Sequence, residues 1–203
     1  MTDEHDDHEH DEHGHEHHQA DELDYAAEVE AYRAEKDDVF RHSPASPVPH
    51  EVRHDFPGIP YFPIDESLRF EGLTLDEYAG DQPTSFQIPT SDGQLKPAHR
   101  QGSFSFDVGG EPRRLTAYVL DGGHSHSLFV PFLDETSGQE TYGAGRYLDL
   151  QPEDDGTYAL DFNLAYHPSC VYDDRFSCPL TPPENRLDTR IEAGERLPDG
   201  FPH

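Results

Sequence analysis

"GSFSFDVGGEPRRLTAYVL", residues 102–120, decides the fold class. Phe104, Phe106 and Val108 alternate with Ser103, Ser105 and Asp107, which is the two-residue period of a half-buried strand. Gly and Pro separate this run from "RLTAYVL", which is rich in aromatic and β-branched residues. Outward on both sides the pattern repeats in "TSFQIPT", "SLFVPF", "RYLDL" and "YALDFNLAY", each closed by Gly, Asp or Pro. The spacing of the runs suits antiparallel hairpins better than βαβ units, which need a helical crossover. The expectation is a mainly β protein, an antiparallel barrel-like or rolled sheet, with an N-terminal helix packed against it.

That helix is "DELDYAAEVEAYRAEKDDVF". Its spacing predicts a helix from 22 to about 40, capped by Asp21, with Asp24 in the first turn at the positive end of the dipole. Tyr25, Val29 and Tyr32 share a face that Val39 or Phe40 continues. The prolines of "HSPASPVPH" end it, because they remove donors and force extended backbone. From Pro179 the chain reads as a wrapping segment anchored by Leu187 and Ile191, with a short turn or helix between them.

At 203 residues the chain suits one domain, 21–203, preceded by a low-complexity tail, 1–20, expected to be disordered. The formal net charge is −29, with twelve arginines and only two lysines, Lys36 and Lys96. The first eighteen residues hold eight of the 43 acids, so the excess belongs to the body. Such a surface suits work at high salt, where self-repulsion is screened; ordinary solubilisation by charge is the alternative. It repels a phosphate backbone, which argues against nucleic acid as a partner. No apolar run approaches the roughly 18 residues of a membrane span, and no signal segment is seen. A cytoplasmic location is therefore expected.

Three further stretches carry polar residues with possible chemistry. In "DETSGQETYGAGRY" (134–147), Gly138, Gly143 and Gly145 permit turns, and Arg146 presents a planar fork. It reads either as a turn with an internally paired arginine or as a ligand loop of Tyr142, Gly143, Gly145 and Arg146. In "DFNLAYHPSCVYDDRFSC" (161–178), Asp161 and Asn163 point to one side if the strand continues. Arg146 is then an available partner for Asp161, and the three either form a buried pair with its neighbour or orient a small anionic ligand. His167, Cys170 and Cys178 lack the usual short Cys spacing of structural zinc, although His124 and His126, on one strand face, could complete a site. Buried thiols, a disulfide, a reactive thiol and a metal site all stay open. Seven histidines in the first eighteen residues suit weak Zn or Ni binding, or serve equally as buffering and solubilising side chains. In "CPLTPPENRL", Glu184 or Asn185 caps a turn, or Glu184 serves as an acid or base.

Taken together, "YRAEKDDVFRHSPASPV", "FPGIPYFPID", "LFVPFLDETSGQETYGAGRYLDL", "DFNLAYHPSCVYDDRFSCPLTPPENRL" and "IEAGE" give the chain away as a relative. It resembles the uncharacterised domain-of-unknown-function family 1684 of archaeal and bacterial proteins, nearly full length after the His-rich tail. The resemblance implies a single globular domain and supplies neither reaction nor cofactor. His167 stands where the family pattern carries Asn, and Tyr32 where it carries Trp. The functional expectation is a cytoplasmic binding or scaffold domain for a small anionic ligand. The alternative is a small-molecule enzyme of hydrolase type using the same pocket.

Overall fold

Gly109 and Gly110 both adopt positive φ (63° and 87°), as a two-residue hairpin turn that matches strand twist requires. They join the two longest strands and pair Val108 with Glu111. The computed structural model describes residues 17–121 and 127–198. Its strands are β1 (Arg69–Leu73), β2 (Asp76–Glu77), β3 (Ser85–Pro89), β4 (Leu95–Val108), β5 (Glu111–Leu120), β6 (Leu128–Phe132), β7 (Arg146–Leu150) and β8 (Tyr158–Asp161), preceded by α1 (His17–His42).

One antiparallel sheet runs β2-β4-β5-β6-β7, with β3 also on β4, and β1 pairs with β8 in a separate ribbon. The alternation in β4 holds: Phe104 and Phe106 are buried while Ser105 and Asp107 are exposed. β4 carries a bulge between Arg100 and Gly102. A Cβ at Gly102 would lie 2.4 Å from the Asp76 carbonyl oxygen, so only glycine lets β2 approach there.

The sheet is not a closed barrel, which corrects the barrel expectation. β7 lies at one edge, bridged by Tyr166 through the Tyr147–Tyr166 pair, and β2 and β3 take the other edge. The β1–β8 ribbon instead folds over the apolar face. Its rings pack against those of the sheet, Phe70 tilted on Phe106 (5.0 Å between centroids) and Tyr158 edge-on to Phe104 (5.2 Å). Leu115, Val130, Phe132, Leu148 and Ile191 complete this core. The opposite face buries Tyr118, Phe129 and Tyr147. With both faces covered, all five residues of β6 are buried.

The helix starts earlier than its sequence suggests, so Asp21 and Asp24 lie within it rather than at its cap and first turn, and residues 17–20 are helical. Residues 1–16 of the tail lie outside the described residues. Tyr25, Val29 and Phe40 face inward, whereas Tyr32 and Val39 are exposed. Between them the inward line carries cations: Arg33 lies over the Tyr61 ring (4.4 Å) and Lys36 pairs with buried Glu195 (2.6 Å).

The C-terminal segment wraps as expected, with Leu187 and Ile191 in the core and a short 3-10 turn at Pro183–Asn185. Neither the Glu184 nor the Asn185 side chain supplies a cap hydrogen bond to that turn, which Asn185 ends. Its Nδ2 donates to the carbonyls of Thr116 (2.8 Å) and Pro131 (2.7 Å), and its Oδ1 accepts from Thr116 N–H (2.8 Å). The side chain thus stitches β5 to β6, whose own ladder has a single register pair, Tyr118 and Phe129. Among the described residues no helix is long and apolar enough to cross a membrane.

Candidate functional site

Arg146 opens β7 on the core face and is fully buried. The β6–β7 register sets it opposite Phe132, with its guanidinium 5.1 Å from that ring. Asp134 follows Phe132 by two residues, and its Oδ1 accepts from Arg146 Nη2 at 3.4 Å. The two terminal nitrogens also donate to carbonyls of the C-terminal segment, Nη2 to Ile191 (2.8 Å) and Nη1 to Ala193 and to Glu195 (3.3 Å), while Nε stays buried without a partner among the described residues. Burial pulls the guanidinium pKa down, and the Asp134 charge opposes it. Arg146 therefore clasps the C-terminal segment to the sheet, and the expected bridge to Asp161 does not form.

Asp134 is the organiser of the glycine-rich loop. It accepts from Thr136 Oγ1 (2.9 Å) and from Ile191 N–H (2.8 Å), and Thr136 reaches Thr141 at 2.8 Å. At Gly145 (φ 102°) a Cβ would meet the Phe132 carbonyl oxygen at 2.4 Å. That glycine serves close packing, not ligand approach. Tyr142 and Gly143 do line a cleft of about 370 Å³ with Gly138, Gln139, Ala144 and Leu197. Among the described residues no cationic side chain lines it.

Asp161 and Asn163 are brought together elsewhere, because the strand does not continue past Asp161. A 3-10 turn, Phe162–Leu164, follows, and Asp161 caps it by accepting from Asn163 N–H (2.9 Å). Strand alternation fails here for that reason. Asp161 also accepts from the Tyr25 hydroxyl of α1 (2.8 Å). Asn163 Nδ2 donates to that hydroxyl (2.9 Å) and to the Asp65 carbonyl (2.8 Å), while Oδ1 accepts from Asp65 N–H (2.8 Å). The pair fastens α1 to the ribbon.

Beside this clasp, α1, β7 and β8 enclose a cleft of about 550 Å³, a size typical of small-molecule sites. Val29, Leu148, Leu150 and Leu164 supply its apolar floor. Glu28, Asp149, Glu153 and Asp161 supply four carboxylates, against one guanidinium, Arg69. Arg69 is already engaged, 4.2 Å above the Tyr25 ring and 2.5 Å from Glu71. Tyr32 and Tyr166 complete the wall; the Tyr166 hydroxyl donates to Asp149 (2.5 Å).

His167 belongs to a buried polar cluster with Glu195 and Lys36. Its Nε2 accepts from Tyr142 N–H (3.2 Å), so a neutral ring carries its proton on Nδ1, which faces Glu195 Oε2 at 3.5 Å. Burial holds the imidazole below its ordinary pKa, with Glu195 opposing. Burial alone would raise the Glu195 carboxyl; Lys36 and His167 override it and hold it at about 2. Sequence reasoning missed Glu195, Lys36 and Asp134. Only the "IEAGE" stretch carried a trace of the first.

Cys170 and Cys178 are free thiols, with Cys170 N–H donating to Cys178 Sγ at 3.4 Å. His167 is turned to Tyr142 and Glu195 instead of toward them. Among the described residues no group of three or more His, Cys, Asp and Glu converges as a metal site. His167 thus lies apart from both cysteines, with Nε2 on Tyr142 N–H and Nδ1 facing Glu195. His124, His126 and the histidines of residues 1–16 lie outside the described residues. Glu184 accepts from Arg100 Nε (2.8 Å) and from the Tyr118 hydroxyl (3.0 Å), and lines neither cleft.

The family described as "Protein of unknown function (DUF1684)" matches residues 54–196. The chain is similar to an uncharacterized protein of Haloarcula marismortui whose solution NMR structure is known. The two are 42% identical over 88% of this chain and 97% of that one, with a TM-score of 0.64. No curated protein matches.

Proposed function

Since the chain belongs to the DUF1684 family, whose description carries no activity, we propose a function from geometry: it binds a small organic cation in the α1 cleft. One observation carries this reading. The cleft combines an apolar floor with four carboxylates, and its one guanidinium is already paired. Each ammonium group of an amine on a short hydrocarbon would offset one of these carboxylates while its carbons cover Val29 and Leu148. Among the described residues the lining contains no His, Cys, Ser or Lys, so it offers no imidazole base, hydroxyl–imidazole pair or thiol, and a binding role is the simpler reading than a hydrolase.

The anionic ligand suggested by the glycine-rich loop is the competing proposal. Its site would be the smaller cleft at Tyr142 and Gly143, where Arg146 is sealed off behind Gly145. Nothing there offsets the charge of an anion, and the surrounding −29 chain repels it.

Native mass spectrometry of the full chain tests both. A copurified or added small amine should stay bound to the wild type and be lost from the Glu28→Gln, Glu153→Gln double variant, whose altered residues are exposed. Retention of a carboxylate or phosphate by both proteins, with no amine bound, would overturn the proposal in favour of the loop.

A further inference from the structure

We propose that Cys170 and Cys178 form a peroxide-oxidisable dithiol, in which Cys170 attacks and Cys178 resolves. Neither residue lines the α1 cleft, so the inference stands apart from the ligand reading. Cys170 sits in the 3-10 turn Ser169–Val171, and Cys178 follows eight positions later, where the chain doubles back. The Cys170 N–H points at Cys178 Sγ (3.4 Å), which brings the second sulfur against the backbone of the first.

The two sulfurs are placed unequally. Cys170 is half-buried and Cys178 buried. Cys178 is also held at both ends of its peptide by Ser91: its N–H donates to Ser91 Oγ (3.1 Å), and its carbonyl accepts from Ser91 N–H (2.8 Å). A peroxide thus meets Cys170 first, while the second thiol waits in a fixed position. The Tyr142 hydroxyl lies 4.0 Å from Cys170 Sγ. With Cys178 S–H as the main donor, and against the opposing effect of burial, Ser91 and Tyr142 help hold the Cys170 thiol at about 6. The Cys178 thiol is pushed far up, chiefly by Cys170 and then by burial. The same pair therefore supplies a thiolate and a protonated partner near neutral pH.

The chemistry balances with a hydroperoxide as oxidant. The Cys170 thiolate attacks one peroxide oxygen, an S–O bond forms, the O–O bond breaks, and the leaving oxygen takes a proton from solvent. The resulting sulfenic acid is attacked by the Cys178 sulfur; the S–S bond forms, the S–O bond breaks, and water leaves with the thiol proton. Two electrons pass from the dithiol to the peroxide. A low-molecular-weight thiol restores both cysteines by exchange.

The test treats the full chain with one equivalent of hydrogen peroxide and reads intact mass and mapped peptides. The wild type should lose two hydrogens and yield a 170–178 linked peptide. Cys178→Ser should gain one oxygen at Cys170, trapped by a 1,3-diketone, and Cys170→Ser should keep its thiol. Both thiols surviving in the wild type, or the oxygen appearing on Cys178, would overturn the assignment. Alkylation of the unmutated protein gives a second readout. Its rate at Cys170 should rise with a midpoint near pH 6. At pH 7 the thiolate fraction exceeds that of free cysteine about 30-fold, and lower nucleophilicity takes back roughly tenfold, leaving about a threefold gain. A midpoint at the ordinary thiol value would equally refute the proposal.

Discussion

Replacing Arg146 with alanine should be among the most damaging single changes in this chain. The side chain is fully buried, as is that of its partner Asp134. Truncation leaves the Asp134 carboxylate without its guanidinium, a loss of about 3–5 kcal/mol for a broken buried pair. The carbonyls of Ile191, Ala193 and Glu195 lose their donor as well, at about 1–3 kcal/mol for each that water cannot reach. These contributions overlap, so about 4 kcal/mol is the working figure, or roughly 10 °C in melting temperature for a domain of this size. Arg146→Lys keeps the charge but not the fork, and should lose about 2 kcal/mol. Denaturant unfolding at constant high salt measures both. Because Asp134 and Arg146 touch, the double alanine variant should cost less than the sum of the singles by at least about 2 kcal/mol. A loss below about 1 kcal/mol for Arg146→Ala, or strict additivity, would refute the clasp.

Three further expectations follow from charge and titration. With a net charge of −29, the melting temperature should fall sharply between about 3 M and 0.1 M KCl as screening is lost; equal melts would defeat the high-salt reading. His167 is held below its unfolded value of 6.5 and Glu195 is held at about 2 against 4.5. In both cases the unfolded chain takes up protons first, so stability should be complete above pH 6.5. It should decline as pH falls, with the Glu195 part, about 3 kcal/mol, lost between 4.5 and 2. A His167→Gln variant with an unchanged slope between pH 6.5 and 5 would contradict this. Deleting residues 1–18 should abolish most Ni or Zn uptake and leave the melt almost unchanged; stoichiometric Zn kept by the truncated chain would count against it.

The strands were legible because Phe104, Phe106 and their neighbours repeat with period two, and Gly109–Gly110 between the two runs permits the tight turn a hairpin needs. Sheet closure was not, because the sequence does not say which edges meet. Here the β1–β8 ribbon covers the face and Tyr166 bridges the β7 edge. The burial of Arg146 followed from its place at the start of an apolar strand, yet its partner did not. Asp161 and Asp134 are equally plausible on paper, and only the Phe132–Arg146 register selects Asp134. Asp161 was misread for a local reason: a 3-10 turn replaces the strand at Phe162 and turns both polar side chains toward α1. Glu195 and Lys36 were invisible because a glutamate in a tail and a lysine in an acidic helix read as solvated.

The binding role of the α1 cleft is tested most directly by titrating the ¹⁵N-labelled full chain with putrescine, and separately with succinate, at fixed ionic strength. Saturable amide shifts with putrescine should centre on Val29, Tyr32, the 148–151 stretch and Leu164, with none from succinate. Shifts confined to Gly138–Ala144 with succinate, or no saturable shift from putrescine, would contradict the account.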